Sequence, residues 1–495
     1  MDQSGLRPHV ELAMDRPTLT LDWQDSPSGL PLFQRIAESV AREIRRGRLK
    51  PGAALPSSRS LAATLGVHRN TALAAFAELE KQGLIVSVPA RGTFVSEKLP
   101  EIRPRRFRGP DCAPVTFDLP ETAPFRAYRG LAPTELALFG GLPDLRHFPS
   151  NLWRRAYRHA VKDVSLAFDY QSELGEPRLL RALASYLATT RGVVAGEGEM
   201  LVTRGSQLGL HLAARALTRP GTVIAVEARG YRPAWEGFRL AGAELVPVPV
   251  DEHGLVVSEL ERLTAERRVA AVYTTPHHQY PTTATLSAPR RLALLSLAAQ
   301  RGFPVIEDDY DHEYHFDGRP ILPLASADPA RVVVHVGTLS KVLAPGLRIG
   351  YVVARPEIVA RMAQARFFLD RQGDHVSERA LAYLIEDGEL TAHIRKMKKI
   401  YAERREVFIE ELRARLGDAL RFRVPPGGLA VWARVARGLS PERWAERALS
   451  RGLLVQSGNH FTFDGKTTPY FRLGFPRHDP KELREAVRRL AASRQ

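Results

Sequence analysis

Six apolar runs, Met200–Thr203, Val223–Val226, Leu245–Val248, Val269–Thr274, Val305–Glu307 and Val332–Gly337, recur along the chain with helix-forming sequence between them. A strand with one face in water alternates apolar and polar residues. A strand that is apolar almost throughout has to be covered on both faces. Stretches such as Gln207–Leu217 and Pro289–Arg301 can supply that cover. Strand and helix in alternation predict an α/β domain with a mostly parallel sheet from about residue 136 to 495. After Gly350-Tyr351 a long helical region is expected over about 356–416. A smaller α+β segment follows over about 417–495 and ends in a helix Lys481–Ala492. The small C-terminal subdomain is placed at about 380–495.

An open α/β sheet binds ligands at the carboxyl ends of its strands. Five groups fall there. Arg204-Gly205-Ser206-Gln207 opens a helix, where free backbone N–H groups attract anions. Tyr231, His278-Gln279-Tyr280-Pro281, Asp308-Asp309-Tyr310 and Lys341 close four further strands, and Arg348 adds positive charge. Together these are an anion cradle, an aromatic plate, a carboxylate, a phenol and an amine.

That inventory suits pyridoxal 5′-phosphate. The aldehyde needs an amine that is neutral part of the time, which a desolvated lysine beside cations provides. The pyridine nitrogen needs a carboxylate, which Asp308 or Asp309 could supply. The ring needs a flat partner, Tyr231. The phosphate needs N–H donors, from Gly205, Ser206 and Gln207, and an arginine, Arg348. His277 and His335 read as packing residues, and no His, Asp or Glu cluster shows metal-ligand spacing along the sequence, so no metal is expected.

The first part of the chain reads differently. In residues 30–49, Phe33, Ile36, Ala37, Val40 and Ile44 recur at helical spacing. Pro51-Gly52 and Pro56 interrupt, and Ser57 is a candidate N-cap for a short helix closed by Gly66. A turn Val67-His68-Arg69 leads to a third helix with apolar Ala72, Leu73, Phe76, Leu79 and Leu84. Strands Ile85–Val88 and Thr93–Ser96 flank a tight turn. Helix, helix, turn, helix and hairpin form the winged helix-turn-helix pattern. Residues 27–96 hold ten Lys and Arg against four Asp and Glu, a net charge of +6 within a chain of 495 residues and formal charge +16. A basic module of this kind points to double-stranded DNA. Arg69 and Asn70, at the start of the third helix, are placed to read base edges. Arg59, Thr71 and Arg91 are placed for phosphates or the minor groove, with His68 beside them.

Residues 97–135 carry seven prolines and the cluster Arg103, Arg105, Arg106 and Arg108, and read as a linker. The single cysteine, Cys112, excludes an intrachain disulfide and a cysteine-based metal site. The first twenty residues lack the apolar core of a signal peptide, and no apolar run reaches membrane-spanning length. A cytoplasmic protein is expected.

These residues resemble known families. GTLSK with Arg348 seven positions on, Asp308-x-Tyr310, TRGSQ and Tyr231 resemble the cofactor site of fold-type I aminotransferases. LPSSRSLA, GV-x-RNT and RGTFV resemble GntR-type winged helices. Both in this order resemble the MocR subfamily of bacterial regulators. The resemblance favours Asp308 for the pyridine nitrogen, and implies that Thr338 and Ser340 join Arg348 at the phosphate and that Tyr310 meets the ring hydroxyl. It implies that Tyr170 reaches the cofactor of a neighbouring subunit, hence a homodimer, and that Arg472 holds an effector carboxylate. Three places depart from the family pattern: the Tyr170 segment, where Gly-Asp is usual near Gln171-Ser172-Glu173, Thr283 where a glycine is usual, and Pro233 where some relatives carry a polar effector contact. The expected function is a regulator sensing an amine or amino acid, with a working aminotransferase or a sensor of pyridoxal phosphate itself as alternatives.

Overall fold

The computed structural model of the chain describes residues 10–12, 19–21, 30–100, 117–119, 130–138, 140–318 and 321–494. Two compact units divide it, residues 1–125 and 126–495.

In the first unit, helices Leu32–Arg45, Ser58–Leu65 and Arg69–Lys81 bury Ile36, Val40, Ile44, Leu61, Leu65, Ala72, Phe76 and Leu79. The spacings of three and four residues place these side chains on one stripe per helix. Ser57 caps the second helix, its hydroxyl accepting from the Ser60 amide at 3.1 Å, and Gly66 closes it at φ 65°. The third helix starts at Arg69, one residue before the sequence suggested. His68 is its N-cap, because ring Nδ1 accepts from the Asn70 amide at 3.2 Å. Leu73, expected on the buried stripe, is 45% exposed, since it lies about 100° round the helix from Ala72. The hairpin pairs Ile85–Val88 with Gly92–Val95, one residue earlier in its second strand than expected, with Gly92 opposite Val88. A short antiparallel pair, Val10–Leu12 with Leu19–Leu21, stands where the sequence showed no element. Arg103, Arg105, Arg106 and Arg108 lie outside the described residues.

In the second unit, seven strands form one sheet. Their order is Met200–Thr203, Gly350–Val353, Val333–Thr338, Val305–Asp309, Val269–Thr274, Val223–Glu227 and Glu244–Val248. All run parallel except Gly350–Val353, which is antiparallel to both neighbours. That strand was not expected from the sequence. Apart from Glu244–Val248 the strands are buried almost throughout, including Met200–Thr203 at the opposite edge, as their largely apolar runs require. Each fully buried Val or Ile contributes about 1.5–3 kcal/mol. Glu244–Val248 is half exposed at one edge and tolerates Pro247 there, where a missing N–H costs least.

The long helical region resolves into Pro356–Leu369, His375–Glu386 and the 28-residue helix Glu389–Leu416. A second sheet, ordered Leu420–Phe422, Ala430–Val435, Tyr470–Gly474 and Gln456–Ser457, packs with helices Pro441–Ser450 and Pro480–Ala492. The latter starts in a capping box between Asp479 and Glu482. This small subdomain also recruits residues far upstream: Leu136–Ala137 pairs with Leu453–Leu454, and Leu138 enters the same core. Among the described residues no helix is long and apolar enough to cross a membrane.

Candidate cofactor and effector site

At the carboxyl edge of the large sheet lies a cavity of about 310 Å³. It is lined by Ser206, Gln207, Tyr231, Asp308, Tyr310, Thr338, Ser340, Lys341, Arg348 and Arg472 from the sequence-derived set. Tyr280, from the strand-end group His278-Gln279-Tyr280-Pro281, lines it too, while Gly140, Gly141, Leu142 and Thr275 also line it and were not assigned there. The Gly140-Gly141 pair was the available clue to a backbone that bends close to something; φ is 81° and 54°.

Strand alternation settles which of two carboxylates faces the cavity. Asp309 turns away and pairs with the buried Arg191 at 2.7 Å. Burial would raise its pKa, and the Arg191 guanidinium overrides that and holds it far below the usual carboxylate range. Asp308 turns in. One oxygen accepts from the Tyr273 hydroxyl at 2.9 Å, and Oδ1 is buried with no partner. Burial pushes Asp308 up to about 7. The Lys341 ammonium donates to the Gly140 carbonyl at 3.2 Å. Burial, then the nearby Arg472 charge, pulls Lys341 down to about 8.

The anion end is built by close backbone packing. Helix Gly205–Leu217 starts directly after strand Met200–Thr203, and no side chain caps it. Arg348, in the left-handed region at φ 52°, donates to the Arg204 carbonyl at 2.9 Å. A Cβ on Gly205 would lie 2.9 Å from that guanidinium, and one on Gly350 would lie 2.7 Å from the Gly205 carbonyl carbon. Only glycines let strand, arginine and helix start converge here. Thr338 Oγ1 accepts from the Ser340 amide at 3.2 Å.

Arg472 enters from the small subdomain, on strand Tyr470–Gly474. It is 1% exposed, its Nε and Nη1 have no partner, and its guanidinium lies 4.4 Å from the Tyr280 ring centre. Tyr280 also meets Tyr231 edge-on at 5.4 Å. Two expected contacts are engaged elsewhere: the Tyr310 hydroxyl donates to the His278 carbonyl, and Gln207 Nε2 donates to the Pro233 carbonyl. Thr283 stands at φ 62°, a conformation a β-branched residue adopts only under strain. Tyr170 is not part of the cavity; it is 73% exposed beside Arg371.

Pyridoxal 5′-phosphate suits these residues on three grounds. A buried Asp308 oxygen lacks a donor, an uncapped helix start lies beside an arginine, and a lysine of lowered pKa lines the same cavity.

In the first unit Arg59, His68, Arg69, Asn70 and Arg91 are exposed and Thr71 half-buried. Among the described residues no carboxylate pairs with Arg59, Arg69 or Arg91. Glu43, by contrast, is buried against Arg46 and Arg48.

A regulator's DNA-binding module joined to an enzyme-like ligand domain is the class of protein these two units define. Residues 32–95 match the gntR family of bacterial regulatory proteins, and residues 141–490 match the class I and II aminotransferases. A probable rhizopine catabolism regulatory protein, MocR, of Rhizobium meliloti is 30% identical over 95% of each chain. The transcriptional regulator TauR of Rhodobacter capsulatus is 33% identical over 94% of this chain and 97% of its own. The pyridoxine biosynthesis regulator PdxR of Corynebacterium glutamicum is 30% identical over 92% and 94%. Among solved structures, a multiple substrate aminotransferase from Thermococcus profundus superposes with TM-score 0.69 at 30% identity, covering 73% of this chain and 92% of that one. The α-aminoadipate aminotransferase LysN of Thermus thermophilus gives 0.68 at 28%, with the same coverage. The chain belongs to the MocR-type GntR regulators, DNA-binding transcription regulators with a pyridoxal phosphate-dependent, fold-type I aminotransferase-like domain.

Proposed function

We propose that the chain regulates transcription by sensing a small amine or amino acid in the Lys341 cavity. The observation that carries this is Arg472: a fully buried guanidinium with two unpartnered nitrogens, in the same cavity as Lys341. Buried donors without acceptors are costly, and a carboxylate on an incoming amino acid would accept from both.

Bound pyridoxal phosphate supplies an aldehyde that reacts with amines. Lys341 would hold its aldehyde carbon and Asp308 its ring nitrogen. Tyr231 would lie against the ring and Tyr310 near its hydroxyl. Gly205, Ser206, Gln207, Thr338, Ser340 and Arg348 would take the phosphate. An amine competing with Lys341 changes what Lys341, Tyr280 and Arg472 contact. Arg472 belongs to the small subdomain and Lys341 to the large sheet, so a ligand reaching both biases their relative position. A regulatory effect requires that the ligand bind two states of the protein unequally.

Tyr170, exposed and outside its own chain's cavity, is available to a second subunit, as are Phe168 and Phe368. A homodimer, its two winged helices reading two half-sites of an operator, fits this arrangement, and DNA places it in the cytoplasm.

The test is a visible spectrum of the purified protein with pyridoxal phosphate, followed by a panel of amines and amino acids, with operator binding measured on the same samples. The expected result is a protein-bound cofactor band that one compound perturbs while changing operator affinity. Steady turnover with a keto acid and no change in DNA binding would instead make the domain an enzyme.

A further inference from the structure

Four histidines converge behind the cofactor cavity, drawn from parts of the chain that the sequence does not connect. His277 and His278 follow strand Val269–Thr274; His312 and His315 follow strand Val305–Asp309. One nitrogen from each of His277, His278 and His315 lies within 4.8 Å of the other two, and all three residues are buried. The His277 ring is 4.3 Å from His278 and 4.6 Å from His312, centre to centre.

Burying imidazoles against one another has no hydrophobic logic, and buried nitrogens ordinarily find a partner. Here both nitrogens of His277 and Nδ1 of His315 have none. His278 is held differently. Its Nδ1 is 2.7 Å from Asp311 Oδ1. A carboxylate there keeps the proton on Nδ1 and leaves the lone pair on Nε2, the arrangement that orients histidines which bind metals.

We propose that His277, His278 and His315 bind a divalent transition metal of the Zn²⁺ class, with Asp311 as positioning residue. Imidazole donors suit Zn²⁺, Ni²⁺ or Cu²⁺ and not Ca²⁺ or Mg²⁺. Three imidazoles at about 2.0–2.1 Å from the metal need the rings to close by roughly an ångström, a movement of side-chain torsions. The fourth position is open to water or to His312.

The site spans a boundary. The backbone of His315 bridges Gly427, and the Phe316 amide donates to the Pro426 carbonyl at 2.8 Å. A Cβ on Gly427 would fall 2.6 Å from His278 Nε2. Residues 277–315 belong to the large sheet, and Gly427 leads into strand Ala430–Val435 of the small subdomain. Metal binding would stiffen the joint between Lys341 and Arg472.

The test uses the full chain without an affinity tag, freed of metal by a chelator. Co²⁺ is titrated and read by its ligand-field absorption, and Zn²⁺ content is measured after gel filtration. One metal per chain is expected, with Tm raised by Zn²⁺ and lowered by chelator. His277→Gln and His315→Gln should lose the Co²⁺ bands, while His253→Gln, at an exposed site, keeps them. Asp311→Asn retains all three imidazoles and should weaken binding about 10–100-fold; it carries the test if the histidine variants fail to fold. A wild-type chain that retains no metal and whose Tm ignores both Zn²⁺ and chelator overturns the proposal. So does binding that survives His277→Gln and His315→Gln, or is unchanged in Asp311→Asn.

Discussion

Tyr273 donates its hydroxyl to Asp308 at 2.9 Å across two adjacent parallel strands, and thereby leaves the other Asp308 oxygen as an unmatched acceptor facing the cavity. The carboxylate is thus oriented before any ligand arrives.

Holding Asp308 ready has a pH signature. An unfolded Asp titrates near 3.9; in the folded, cofactor-free chain burial pushes Asp308 up to about 7. Between those values the folded state keeps a proton that the unfolded state has lost. Stability therefore falls as pH rises through that window. Asp308→Asn removes the titration. Without cofactor it should melt above wild type at pH 8, by about 1 °C for each kcal/mol in a unit of this size, and the gap should narrow at pH 5. With pyridoxal phosphate the order should reverse, because the cofactor-ring partner is gone. Tyr273→Phe keeps the carboxylate but loses its donor, and should weaken cofactor binding by about 1–2 kcal/mol, or 5–30-fold. Melting curves at the two pH values and a spectroscopic cofactor titration check these outcomes.

Lys341 and Arg472 are coupled by charge. Burial is the larger influence on Lys341, and the Arg472 guanidinium adds to it, so the amine loses its proton near pH 8. The rate at which cofactor-free protein captures pyridoxal phosphate should rise with pH and level off above about 8. Arg472→Gln removes a cation, so Lys341 should keep its proton longer and the midpoint should move to higher pH. The same variant should lose response to amino acids by about 10–100-fold, the worth of a hydrogen bond to a charged group, while an amine without a carboxylate acts as before. Lys341→Ala should show no protein-bound visible band, with an unchanged circular dichroism spectrum. Stopped-flow absorbance and operator-binding titrations read these effects.

The sheet and most of the cavity were legible in the sequence because both rest on local pattern. Apolar runs mark strands buried on both faces, and the residues just after them stand at the ligand-binding edge. Asp308 and Lys341 were found in this way. Strand Gly350–Val353 was missed because four apolar residues between an irregular turn and a long helix carry no period, and its place between two earlier strands is a tertiary fact. Gly140 and Gly141 enter the cavity through a segment that otherwise belongs to the small subdomain. The histidine group was invisible for the same reason: residues 277 and 315 meet only because adjacent strands end side by side. Leu73 shows the opposite failure, an apolar residue in a helical pattern that the packing leaves outside.

Gly350 is where an added methyl group should do most damage to the phosphate end. Its Cβ would meet backbone, 2.7 Å from the Gly205 carbonyl carbon and 2.8 Å from the Ser206 nitrogen, so no rotamer change relieves it. Gly350→Ala should cost about 1–3 kcal/mol. Because the atoms displaced start the helix beside Arg348, cofactor affinity should fall together with Tm. Gly346, whose Cβ would meet nothing within 4 Å, provides the comparison: Gly346→Ala should alter neither. Thermal melts and cofactor titrations of both variants separate the two cases.

In the winged helix, position on the third helix decides what each cation does. Arg69 is its first residue, exposed and without a carboxylate partner among the described residues, at the end that enters a major groove. Arg69→Ala should weaken operator binding by about 1–3 kcal/mol and relax sequence preference at the bases it reads. Arg59, exposed on the second helix, is placed for phosphate. Arg59→Ala should weaken binding to operator and unrelated DNA alike and lower the salt dependence by about one counterion. Binding isotherms at several salt concentrations, on operator and scrambled duplexes, distinguish the two. Unchanged operator affinity in Arg69→Ala would mean that another face of the module meets DNA, and a loss of preference in Arg59→Ala would move base reading to the second helix.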